Sequence, residues 1–86
     1  MNPKDFNIVS EVHKIIDPVY LVGGSVRDEI MGIEPKDYDF ATPLDPDAIE
    51  QKIRDHGKRP YLIGKRFGTV GMKINGQMVE ITTFRQ

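Results

Sequence analysis

The chain has no cysteine among its 86 residues, which excludes structural disulfides and thiolate metal sites. It has almost no net charge: twelve basic against thirteen acidic residues leave a formal −1. Any basic footprint for nucleic acid must therefore be local. No apolar run approaches the roughly 20 residues of a membrane span. The opening Met1-Asn2-Pro3-Lys4-Asp5 lacks the apolar stretch of a secretory signal. These absences set the expectation of a soluble cytoplasmic protein with no membrane partner. Internal repeats and low-complexity tracts are missing too. What remains is one small domain, of a size that buries only about two-thirds of the surface its unfolded chain exposes.

Periodicity supplies the elements. Phe6, Val9, Val12, Ile15 and Ile16 recur at helical spacing between Lys4 and Ile16. The Phe6, Val9, Val12 stripe is expected in the core, with Pro18 ending the helix. Val19-Tyr20-Leu21-Val22 reads as a short buried strand. Gly23-Gly24 then turns the chain, Ser25 caps a second helix with Asp28 three residues on, and Gly32 closes it. Pro35 and Lys36 follow in a loop, and Tyr38 to Ala41 predicts a strand. Asp45-Pro46-Asp47 opens a third helix running to Gly57, with a cap, a first-turn proline and early acidic charge; Ile49 and Ile53 face inward. Arg59 to Ile63 is a candidate strand, and Gly64 to Gly68 a glycine-bounded basic loop. Asn75-Gly76 predicts a two-residue hairpin. That turn pairs Ile74 with Gln77, Met72 with Val79 and Val70 with Ile81. Lys73 with Met78, Gly71 with Glu80 and Thr69 with Thr82 lie on the other face. The expected fold is α/β or α+β, a small mixed sheet with helices packed on it and a β-hairpin at the end.

Three features carry possible chemistry. Gly23-Gly24-Ser25, between strand and helix, lets backbone N–H groups and a helix N-terminus approach an anion. By itself it reads more readily as a tight turn with a capping serine. Asp37 and Asp39 alternate on a strand, so both carboxylates share a face while Tyr38 and Phe40 take the other. Adjacent carboxylates repel unless a cation such as magnesium lies between them; alone, the pair reads as a solvated acidic edge. Glu80 lies between inward-facing Val79 and Ile81, and its cross-strand partner Gly71 leaves room above the carboxylate for a ligand. The plain alternative is a charge on an edge strand. Together, three carboxylates on one sheet face near a phosphate-holding turn describe a two-metal phosphoryl-transfer site. Arg66 and Arg85 suit phosphate. Lys65 is read as solvated surface, and His13 and His56 as helix-surface residues without a role.

At this point the residues resemble a family. Leu21-Val22-Gly23-Gly24-Ser25-Val26-Arg27-Asp28, followed by Lys36-Asp37-Tyr38-Asp39-Phe40-Ala41-Thr42, resembles the signature of the class II CCA-adding enzyme and bacterial poly(A) polymerase head, within the polymerase beta nucleotidyltransferase superfamily. Arg66-Phe67-Gly68-Thr69-Val70 and Val79-Glu80-Ile81-Thr82-Thr83-Phe84-Arg85 resemble its later blocks, in the same order. The resemblance runs from about Tyr20 to the end. It implies that Asp37 and Asp39 hold magnesium and that Gly24 and Arg27 contact the incoming nucleoside triphosphate, with Gly23 and Ser25 in the same turn. Glu80 would activate the primer 3′-hydroxyl, and Arg85 would touch the triphosphate. The family transfers CMP and AMP from CTP and ATP to tRNA 3′ ends, or AMP to RNA tails.

The chain ends at Gln86, inside what resembles the head, and the family's neck and helical body are expected to lie outside it or on a partner chain or oligomer. Two rival readings share the residues. One is a minimal nucleotidyltransferase acting on a protein or small molecule. The other is a nucleotide-binding remnant or partner subunit without activity of its own.

Overall fold

The computed structural model describes residues 3–23 and 37–84, with Asp37 described through its backbone. The predicted second helix, its capping Ser25 and Asp28, its closing Gly32, and the Pro35–Lys36 loop lie outside the described residues. Proline occupies the first position of α1 (Pro3–Ile15), where its missing N–H costs nothing. The inward stripe of α1 is Ile8, Val12 and Ile15, at i, i+4 and i+7. Phe6 falls on the opposite side and is 63% exposed, which corrects its expected place in the core. Val9 packs at the core's margin.

Strand β1 (Tyr20–Gly23) forms where expected, but only Val19 before it is buried. Tyr20, Leu21 and Val22 are exposed, and among the described residues β1 pairs with β2 alone. β2 (Asp37–Thr42) precedes α2 (Pro46–Asp55), whose Asp45 cap accepts from the Ala48 N–H at 2.8 Å. Ile49 and Ile53 are buried as predicted. Arg59–Ile63 contributes one isolated bridge, Tyr61 to Gly71. The basic loop is a 3₁₀ turn (Lys65–Phe67) closed by Gly68 at φ 89°.

β3 (Thr69–Ile74) and β4 (Gln77–Thr83) form the hairpin in the predicted register, pair for pair. Asn75 and Gly76 both have positive φ, 52° and 80°, as a type I′ turn requires. The four described strands run in the order β1-β2-β4-β3. β1–β2 and β3–β4 are antiparallel, while β2–β4 is parallel. Tyr38, Phe40, Val70, Met72, Ile74, Val79 and Ile81 form the inner face and share one core with α1 and α2. This is the expected mixed α/β sandwich. Among the described residues, no helix is long and apolar enough to cross a membrane.

Candidate functional site

The face opposite the core carries the carboxylates. In β2, Tyr38 and Phe40 are 4% and 1% exposed, so alternation sends Asp39 outward, where it is exposed. The parallel pairing sets Asp39 beside Glu80, just as it sets Tyr38 beside Val79 and Phe40 beside Ile81. Neighbouring strands lie about 4.8 Å apart. The two acids therefore share one face, framed beneath by four core residues. Asp37 begins the same strand, its backbone opposite Met78.

Gly23 completes this arrangement through an irregularity. Leu21 pairs Phe40, yet the next pair is Gly23 with Asp39, so Val22 is an extra residue bulged out of the β1–β2 ladder. In regular register Val22 would sit beside Asp39. The bulge puts a glycine there instead. A Cβ at Gly23 would lie 3.2 Å from the Asp39 carboxylate Oδ2, tighter than ordinary van der Waals contact. Gly24, Ser25, Arg27 and Arg85 lie outside the described residues.

Hydrogen bonds fasten the far end of β2. Buried Thr42 donates to the Pro18 carbonyl at 2.6 Å and accepts from the Leu44 N–H at 3.3 Å. Thr83, at the end of β4, donates to the Leu44 carbonyl at 2.7 Å. On the core side, the Tyr38 hydroxyl donates to the carboxylate of Asp5 on α1. Sequence periodicity gives no sign of that contact, because the two residues are far apart in the chain and Asp5 reads as ordinary first-turn charge.

Two expectations are corrected. Gly71 does not open room above Glu80. A Cβ there would meet Met78 Sδ at 3.3 Å and Tyr61 Cβ at 3.4 Å, so protein already fills the space. Nor is Lys65 a surface charge held by solvent alone. Its ammonium pairs Asp47 at 2.6 Å and Glu50 at 2.7 Å, and Glu50 also pairs Arg54 at 3.0 Å. The hydrogen bonds to Asp47 and then Glu50 hold Lys65 above its ordinary range. Those from Lys65 and then Arg54 hold Glu50 below the usual carboxylate range. The available signal was Asp47, Glu50 and Arg54 on one helix face. Arg66, on the same 3₁₀ turn, stacks its guanidinium 4.7 Å from the centroid of the Phe67 ring. His13 and His56 are exposed as expected.

Asp39 and Glu80 are oxygen donors side by side, a set that fits a hard divalent cation rather than a soft one. Among the described residues, no three His, Cys, Asp or Glu side chains gather in one cluster.

A small mixed sheet with acidic residues on the exposed face of two central strands is the pattern of a nucleotidyltransferase head. The chain belongs to the Poly A polymerase head domain family, which matches residues 19–86. Poly(A) polymerase I of Haemophilus influenzae is 31% identical over 90 residues, covering 99% of this chain and 19% of that protein. The CCA-adding enzyme of Staphylococcus aureus strain Newman is 44% identical over 66 residues, covering 77% of this chain and 16% of that enzyme. The chain thus spans less than a fifth of either relative. Among solved structures, the Bacillus stearothermophilus CCA-adding enzyme in complex with CTP aligns with TM-score 0.64 and 29% identity, over 98% of this chain and 21% of that one. A CCA-adding enzyme with ATP aligns with TM-score 0.67 and 27% identity, over 99% and 22%.

Proposed function

We propose that this chain is the catalytic head of a nucleotidyltransferase that moves a nucleoside monophosphate from CTP or ATP to an RNA 3′-hydroxyl, the 3′ end of tRNA being the acceptor. The observation that carries the reading is the lateral pairing of Asp39 with Glu80, with Gly23 against the Asp39 carboxylate, in a chain of this family. The acceptor oxygen bonds to the α-phosphorus, the bond from that phosphorus to the bridging oxygen breaks, and pyrophosphate leaves. The hydroxyl proton passes to Glu80 or to solvent.

Asp37 and Asp39 would hold magnesium. Two such ions, when bound, would activate the acceptor hydroxyl and neutralise charge on the triphosphate. Glu80 orients the attacking hydroxyl from the adjacent strand. Gly23, Gly24 and Ser25 supply close backbone approach to the triphosphate, and Arg27 and Arg85 supply charged donors. The relatives hold more than four-fifths of their length outside the matched part, and there the reading places base choice and the grip on RNA. It also places the protein in the cytoplasm, where tRNA is processed.

The test is calorimetric binding of CTP or ATP with magnesium, followed by incorporation of label into tRNA lacking its terminal CCA. Wild type is expected to bind, with Asp39→Asn losing both metal-dependent binding and incorporation. Equal binding by the two proteins overturns the assignment.

A further inference from the structure

The Asp39 carboxylate faces away from the core, but the strand that carries it is held from the core side. Tyr38 is 4% exposed and flanked in sequence by Asp37 and Asp39. Its hydroxyl donates to the carboxylate of Asp5, in the first turn of α1. Asp5 lies before residue 19, outside the segment that matches the family. One α1 residue therefore grips the strand position between the two acids, and β4 grips the same position laterally through Val79.

We propose that Asp5 and Tyr38 are positioning residues for the cation site, a tether that sets where β2 presents Asp37 and Asp39. The proposal rests on the nucleotidyl-transfer reading. A bond from a phenol to a carboxylate is charge-assisted, and shielding from water strengthens it. Thr42 fastens the far end of β2, and the bond to Asp5 holds the end that carries the acids. A displacement of a few tenths of an ångström at Tyr38 passes directly to both neighbouring Cα atoms. Cation sites depend on groups that orient their ligands, and loss of such a group weakens binding.

The experiment titrates the chain with Mn2+ alone, read by electron paramagnetic resonance, alongside thermal unfolding. Tyr38→Phe keeps the ring in the core and removes the hydroxyl. Asp5→Ala removes the acceptor from a partly exposed helix turn without disturbing packing. Both are expected to weaken Mn2+ binding on the order of tenfold. Asp5→Asn keeps an acceptor oxygen and is expected to restore affinity to within about twofold of wild type. Ile53→Val, on α2, is expected to lower the melting temperature while keeping both hydrogen-bonding groups of the tether and to leave Mn2+ affinity alone, so loss of stability by itself cannot mimic the result. Wild-type affinity in both Tyr38→Phe and Asp5→Ala overturns the tether while leaving the site reading intact. No Mn2+ binding by wild type, or binding that Asp39→Asn leaves unchanged, overturns the site reading and the tether with it.

Discussion

Gly23 and Asp39 are cross-strand partners only because Val22 is bulged out of the β1–β2 ladder, and the absent side chain of Gly23 is what accommodates the Asp39 carboxylate. Bulges are common beside functional sites, where they re-aim a side chain. Here the bulge re-aims the lack of one.

Gly23→Ala is therefore expected to push the Asp39 carboxylate aside, since its Cβ would stand 3.2 Å from Oδ2. A shift of this kind in a transfer site costs on the order of tenfold or more in rate. Global stability is expected to fall little, because Tyr20, Leu21 and Val22 of β1 are exposed. Parallel measurement of labelled-nucleotide incorporation and the urea midpoint checks this, and an active variant with lowered stability contradicts it.

Much of this arrangement is legible in the sequence, and what escapes is non-local. Asn75-Gly76 signals its hairpin because that dipeptide strongly favours a type I′ turn, and one turn then determines every pair from Ile74–Gln77 to Thr69–Thr82. The Asp45 cap and the Ile49/Ile53 face follow from equally local rules. The parallel pairing of Asp39 with Glu80 has no local signal, because it depends on how two separate hairpin-like units dock. Phe6 shows the limit of periodicity: several stripes fit one short helix, and the sheet chooses Ile8, Val12 and Ile15. Lys65 was misread because loop charges look alike until a helix face supplies their partners.

Thr42→Val preserves shape and removes the hydroxyl that bridges the Pro18 carbonyl and the Leu44 N–H. Leaving buried polar groups unpaired costs about 1–3 kcal/mol. Urea unfolding is expected to show a lowered midpoint with unchanged slope.

Gly71→Val is expected to destabilise by about 1–3 kcal/mol, because its side chain would be driven against Met78 and Tyr61. Gly57→Val provides the contrast: nothing lies within 4 Å of a Cβ there, so its cost comes from the backbone alone, at φ 73°. Chemical denaturation of the two variants separates crowding from backbone strain.

The ion pairs of Lys65 make stability depend on pH at both ends. Glu50 is held below its ordinary 4.5, so its contribution is present above that value and is lost as pH falls through the lowered one. Lys65 is held above its ordinary 10.5, so its contribution is present below that value and is lost as pH rises through the raised one. Lys65→Met should differ from wild type by a constant amount between those values and converge with it outside them. The difference is expected to be small and to shrink with salt, since Asp47 is 86% exposed. Urea midpoints across pH, at low and high salt, test both statements.

The strand order β1-β2-β4-β3 puts β2 and β4 at the centre of the sheet, and their parallel union alone brings Asp39 to Glu80. Parallel strands cannot be joined by a tight turn, so this pairing closes a long loop whose entropy is lost before any contact repays it. The hairpin at Asn75-Gly76 can form early and alone; the carboxylate pair cannot. Assembly of the site is thus expected to coincide with the most global step of folding. Amide protons bridging β2 and β4 should exchange only when the whole domain opens, and partly folded forms should hold no remnant of the paired acids.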